Sequence, residues 1–228
     1  MSIGFGMKQT SKIPAPRLSE IAYERILEGL FQRRVEVGAF LSQAELSALV
    51  DVPVGPLRDA LRMLEGEGIL TIHPRSGIQF VRPGLELTRA TYQFRAIVER
   101  AAVRAFAEQG DEAVIERLMR DHQALIDKIA DRGLHPDDLT EVDRLEQATH
   151  NSVIGIMHNP LIDISYRRMM NYLRLLRLDR KFTSPIILRT LREHVEILTA
   201  CMARDADAAE AALQAHLQAA IQRNIGFM

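Results

Sequence analysis

The tripeptide Arg82-Pro83-Gly84 divides this chain into two stretches whose hydrophobic periods do not belong to one layer of structure. Before it, short helical periods lead into two β-rich runs. After it, apolar residues recur every three or four positions with no alternating stretch at all. Proline lacks an amide proton and glycine relaxes the backbone, so a helix does not run through the break. A chain of 228 residues has room for two domains with a core each. The sequence therefore reads as an N-terminal arm over 1–17, one domain over 18–83 and an all-helical domain over 84–228.

In the first domain Tyr23, Ile26, Leu27, Leu30 and Phe31 fill one face of an amphipathic helix that Gly38 closes. Ser42-Gln43-Ala44-Glu45 has the pattern of a capping box, opening a short helix with Leu46, Leu49 and Val50. After Asp51-Val52-Pro53, Pro56 suits the first turn of a third helix, whose apolar face is Leu57, Ala60, Leu61 and Leu64. Residues 69–73 and 78–81 are β-rich runs around Pro74-Arg75-Ser76-Gly77, a hairpin with glycine near its tip. Helix, helix, turn, helix and hairpin is the order of a winged helix-turn-helix.

The second domain reads as six helices, near 87–109, 111–132, 137–157, 160–181, 185–203 and 205–224, punctuated by Gly110, Gly133 to Pro136, Asn159-Pro160, Pro185 and Asp205. The expected architecture is mostly α: a winged helix-turn-helix followed by a six-helix antiparallel bundle. No apolar run approaches the roughly 18 residues of a membrane span, so no membrane partner is expected. Cys201 is the single cysteine, which excludes an internal disulfide and fits a reducing, cytoplasmic setting. The net charge of −1 gives no electrostatic case for nucleic acid on its own.

Several fragments in order resemble the GntR regulators, in the FadR/FCD subgroup. In the N-terminal half these are Gly38-x-x-Leu41-Ser42, Glu45-Leu46, the run from Pro56 to Leu70, and Gly77. In the C-terminal half they are Arg95-x-x-x-Glu99, His150 nine residues before Asn159-Pro160, Glu193-His194 and His216-Leu217. The resemblance implies a homodimer on double-stranded, palindromic operator DNA, with the third helix in the major groove. Arg58 and Arg62 would then lie on the reading helix, Ser42 at its neighbour's start, and Arg75 and Gly77 on the wing. The sequence departs from the family at two places. Pro53-Val54-Gly55 replaces the usual Ser-Arg-Thr, and Ala44 the usual arginine, removing two arginines and two hydroxyls. Residues 1–83 hold ten Lys/Arg against nine Asp/Glu, so DNA affinity is expected to be weak, unusual in sequence, or to lean on Lys8, Lys12, Arg17 and Arg33-Arg34.

Glu146 and His150 stand four apart, hence on one helix face. His194 is in line with Ile187, Leu191, Leu198 and Cys201, and His216 with Ala209, Leu213 and Ala220, both on inward stripes. Three inward histidines and a carboxylate from three helices are the ingredients of a metal site in a bundle, and their positions match the ligands that the resemblance implies. Imidazole with carboxylate suits a divalent zinc, nickel, iron or manganese ion. Asp143 is the alternative carboxylate, one turn earlier. Thr149 stands where the family usually has phenylalanine. The resemblance also puts Arg95 in reach of an effector, and a planar guanidinium suits a small carboxylate; an ion pair with Glu99 is the alternative use. Asn171, Tyr172 and Arg174 are the candidate neighbours, while His73, His122, His135 and His158 read as surface or structural. The function that follows is a transcription regulator, a repressor by expectation, controlled by a small organic acid at the metal. A helical metal-dependent hydrolase and a DNA-inert dimeric binding module are the alternatives.

Overall fold

The computed structural model describes residues 16–178 and 182–225, so Lys8 and Lys12 lie outside the described residues. The chain divides into two compact units, residues 1–81 and 82–228.

The first unit contains α1 (Leu18–Phe31), β1 (Phe40–Leu41), α2 (Gln43–Val50), α3 (Val54–Gly66), β2 (Leu70–His73) and β3 (Gly77–Phe80). Ala22, Ile26 and Leu30 of α1, Leu46 of α2 and Leu57, Leu61 and Leu64 of α3 bury completely or nearly so with Ile69, Ile78 and Phe80, giving the unit its own apolar core. The capping box forms: Ser42 Oγ accepts from the Glu45 amide at 3.2 Å and the Ser42 amide donates to Glu45 Oε2 at 2.7 Å. Between α2 and α3 the chain turns through Asp51 in the left-handed region, φ 50°. Arg25 of α1 fixes that turn by donating to the carbonyls of Val50 at 3.0 Å and Asp51 at 2.7 Å, groups the helix end leaves without partners.

The wing is one strand richer than the sequence suggests. β3 pairs antiparallel with β2 and with β1, in the order β1-β3-β2. A two-residue strand has no period to read, which is why Phe40–Leu41 left no signal. Gly77 has a structural duty in this sheet. Its φ is 145°, and a Cβ there would come within 2.7 Å of the Leu41 carbonyl and 2.8 Å of the Phe40 ring.

The second unit contains α4 (Leu85–Gln109), α5 (Glu112–Arg132), α6 (Asp138–Gly155), α7 (Pro160–Arg177), α8 (Ser184–Met202) and α9 (Ala206–Ile225), the six helices expected. α4 lies against α6, α7 and α9, α5 against α6 and α8, and α8 against α9. α6 ends two residues sooner than its apolar pattern suggests. His158 turns left-handed, φ 45°, and Asn159 Oδ1 then caps α7 by accepting from the amides of Leu161 and Ile162. One apolar cluster gathers Val103, Phe106, Ile115, Val153, Leu173, Leu198 and Leu213, and a smaller one Leu125, Ile129, Leu145, Ile187 and Leu191. The same interior also holds charge: Arg95, Glu99, His122, Glu146, His150, His194 and His216 are all buried. Among the described residues no helix is long and apolar enough to cross a membrane.

Candidate metal centre

Glu146 and His150 sit one turn apart on α6, His194 comes from α8 and His216 from α9. One ligand atom from each lies within 4.8 Å of all the others. The ring centroids of His150, His194 and His216 are 4.7 to 5.5 Å apart, so the three imidazoles pack directly against one another. Glu146, not Asp143, is the carboxylate the fold brings here; Asp143 accepts from Gln147 Nε2 at 2.6 Å instead.

Hydrogen bonds behind the rings decide which nitrogen is bare. His150 Nδ1 lies 2.9 Å from Glu99 Oε2, and His216 Nδ1 lies 2.9 Å from Glu193 Oε2. A carboxylate accepts, so each Nδ1 carries the proton and the lone pair of each neutral ring is on Nε2. His194 Nε2 and His216 Nε2 are buried with no hydrogen-bond partner. An orphaned buried nitrogen costs about 1–3 kcal/mol, so two that converge beside a carboxylate call for a common acceptor of lone pairs. A divalent cation would serve as that acceptor, and the donor set of three imidazoles and one carboxylate fits one.

The surrounding charges support this composition. Burial alone would raise the Glu146 carboxyl; Arg177, which donates to its Oε1, together with His194, His150 and Arg95 outweighs that and holds it well below the usual range. Glu99 is fully buried, and there too the charge of Arg95, 2.7 Å away, and the His150 contact together overcome burial and keep the carboxylate ionised. Tyr166 donates to Glu99 Oε1 at 2.7 Å, and burial together with that carboxylate pushes its hydroxyl well above its ordinary value. Glu193 is brought down to about 2, burial opposing and Arg223 and His216 prevailing. Burial lowers His122, His194 and His216, so these rings stay neutral in the folded protein.

This last shift has a measurable sign. The unfolded chain takes up these protons near about pH 6.5, while the folded chain refuses them until lower pH. The stability of chelator-treated protein is therefore complete above about pH 6.5 and falls below it, by about 1.4 kcal/mol per pH unit for each ring kept neutral. Thermal unfolding from about pH 7.5 to 5 should show this decline; a flat midpoint would contradict the burial of neutral rings.

Arg95 makes the ion pair with Glu99, and its Nη2 also lies 3.0 Å from His150 Nε2. Asn171 and Arg174 line a cleft of about 360 Å³ between α6 and α7, with Gln147, Asn151, Asp163 and Tyr166. The sequence reading missed Arg177, Tyr166 and Glu193 as members of the charged network, because their partners lie on other helices and no spacing links them. His122 was recoverable. It continues the inward stripe of Leu118, Leu125 and Ile129 in α5 and is fully buried against His194, so of the two readings, surface or structural, it takes the structural one. In the first unit Arg58, Arg62 and Arg75 are exposed. Arg58 Nε donates to Gln43 Oε1 at 3.1 Å, and Arg62 stands 3.8 Å from Asp59. Ser42 is engaged in its cap, and Pro53 offers no capping side chain to α3.

The chain thus joins a winged helix-turn-helix to a six-helix domain with a buried His/Glu cluster. The family model "Bacterial regulatory proteins, gntR family" matches residues 18–80, and that of the FCD domain matches residues 90–219. The chain belongs to the GntR family of bacterial transcription regulators and carries an FCD domain. It is 22% identical over 200 residues to the HTH-type transcriptional regulator YdhC of Bacillus subtilis, covering 85% of each chain. It is 25% identical over 214 residues to the HTH-type transcriptional repressor RspR of Escherichia coli, covering 92% of this chain and 90% of the relative. A crystal structure of a GntR transcriptional regulator from Rhodococcus sp. RHA1 has the same fold, with a TM-score of 0.71, 23% identity, and 92% and 96% of the two chains covered.

Proposed function

We propose that this regulator is a homodimeric repressor of operator DNA whose affinity is set by a small carboxylate bound at a divalent metal on Glu146, His150, His194 and His216. The observation that carries the reading is the pair of orphaned nitrogens, His194 Nε2 and His216 Nε2, buried beside an ionised carboxylate. The bound ion supplies Lewis acidity and an attachment point for an oxygen ligand. Arg95 Nη1 and Arg177 Nε are buried donors without acceptors, which a carboxylate ligand would satisfy. Asn171 and Arg174 would meet the far end of a longer acid through the α6–α7 cleft. The reading as a dimer is supported by Ile97 on α4 and Leu161 and Ile164 on α7, large apolar residues 68%, 74% and 48% exposed on two helices that pack together.

In the first unit, exposed Arg58 near the start of α3 would reach a guanine edge or a phosphate, with Arg62 beside it and Arg75 and Gly77 on the wing. Ser42 would contribute through the cap that orients α2. The test is fluorescence anisotropy with the intergenic DNA upstream of the protein's own gene, over a salt titration. Arg58→Ala should weaken binding by about 1–3 kcal/mol if the contact is to a base. Equal affinity of variant and wild type at every salt concentration would refute the reading helix. Adding malate or citrate to metal-loaded protein should then shift operator affinity by about 5–150-fold, the span of typical allosteric couplings.

A further inference from the structure

The three histidines of the centre are not held alike. His150 and His216 are each backed by a carboxylate, Glu99 and Glu193. His194 is backed by another histidine. His122 Nε2 lies 3.1 Å from His194 Nδ1, and the two rings meet edge-on at 5.2 Å. His122 Nδ1 in turn lies 2.7 Å from the backbone carbonyl of Leu118.

A carbonyl oxygen only accepts, so His122 Nδ1 carries a proton. The ring is completely buried and its nitrogens meet a carbonyl and another imidazole, neither of them a counter-charge, so the neutral form fits and its Nε2 is bare. A bare Nε2 accepts, so the proton between the two rings belongs to His194 Nδ1. That in turn leaves His194 with its lone pair on Nε2, the atom without a partner that faces Glu146 at 3.6 Å. Thr149 agrees with this direction. Its Oγ1 lies 3.4 Å from His122 Nε2, where a hydroxyl can donate to the same lone pair. The aliphatic neighbours of His122 on its stripe supply no acceptor of their own.

We infer that His122 is a positioning residue for His194: the Leu118 carbonyl, His122 and His194 form a directional relay that presents the His194 Nε2 lone pair to the centre. Its effect on metal affinity rests on the metal reading above, whereas the tautomer of His194 does not. The relay differs in kind from its neighbours, because a neutral imidazole orients a ring without adding the negative charge that makes a metal ligand more basic. Among the three histidines, His194 is thus the arm aligned by hydrogen bonding alone.

The experiment uses the full chain, wild type and two variants. His122→Gln keeps an acceptor oxygen near the position of Nε2; His122→Phe keeps the bulk and removes the acceptor. Long-range proton–nitrogen-15 correlation spectra of the metal-free protein should show His194 protonated on Nδ1 in wild type and in His122→Gln. In His122→Phe that preference should be lost. Cobalt(II) titration against a competing chelator should find His122→Phe weakened about 10–100-fold, with a changed visible absorption band, and His122→Gln restored to within a few-fold of wild type. A wild-type His194 protonated on Nε2 would overturn the relay. So would His122→Phe binding cobalt with unchanged affinity and spectrum. Should wild type take up no cobalt, the metal reading fails, and the proton–nitrogen spectra alone decide the relay. Should His122→Phe fail to fold, wild type and His122→Gln still decide it by the same spectra.

Discussion

Glu99→Ala should destabilise the helical domain by about 3–5 kcal/mol, because it leaves Arg95 charged, buried and without its counter-charge. Both side chains are entirely inaccessible, so solvent does not soften the loss. The cost also falls on Tyr166 and His150, which lose their acceptor at 2.7 and 2.9 Å. For a domain of this size the melting midpoint should drop by about 10 °C. Glu99→Gln keeps shape and one acceptor but not the charge, and should fall between variant and wild type. The informative partner is the double change Arg95→Met with Glu99→Leu. Replacing a buried ion pair with packed apolar groups is often neutral, so stability should largely return. Metal affinity should not return, since His150 Nδ1 still lacks its acceptor and the ligand ring is free to turn; the expected loss is about 10–100-fold. Chemical denaturation and a metal competition assay on the same three proteins separate the two roles. A double variant that recovered full metal affinity would show Glu99 to be a counter-ion only.

Removing any one histidine of the centre is expected to abolish stoichiometric metal. Wild-type protein with free zinc at 100 times its dissociation constant should gain about 2.7 kcal/mol of stability from binding. His150→Ala, His194→Ala and His216→Ala should each show almost none of that gain under the same conditions. Elemental analysis of gently purified protein gives the stoichiometry, and thermal shift with and without chelator gives the energy. Glu146→Gln should also lose metal, with the added penalty that the largely covered Arg177 guanidinium loses its counter-charge. If all three histidine variants kept full metal content, the centre would not be where these side chains meet. In that case the orphaned nitrogens of His194 and His216 would need another partner.

The sequence was most legible where a residue's role is set by its own helix. The periods of α4 to α9, the Ser42 capping box and the inward positions of His150, His194 and His216 all follow from spacing along one element. The charged network was less legible because its bonds run between helices. Glu193 and His216 lie 23 residues apart, and Arg177 and Glu146 lie 31 apart, so no local pattern pairs them. His122 was within reach of the stripe argument that found His194, but was grouped with the surface or structural histidines. Its Nδ1 meets the Leu118 carbonyl, and its other nitrogen meets the ligand. Thr149 in place of phenylalanine was a second trace of the same feature, a polar side chain placed beside a polar ring.

All six helices of the domain send a side chain into the polar interior: Arg95 and Glu99 from α4, His122 from α5, Glu146 and His150 from α6, Arg177 from α7, His194 from α8 and His216 from α9. In an ordinary apolar core neighbours can slip past one another by small steps, since dispersion has no preferred direction. Hydrogen bonds between these helices are directional, so a helix that rotates or slides gives up a bond it cannot replace nearby. The domain is therefore geared rather than greased. A change at its centre is shared out as a collective adjustment of six rods, and no single helix is free to absorb it alone.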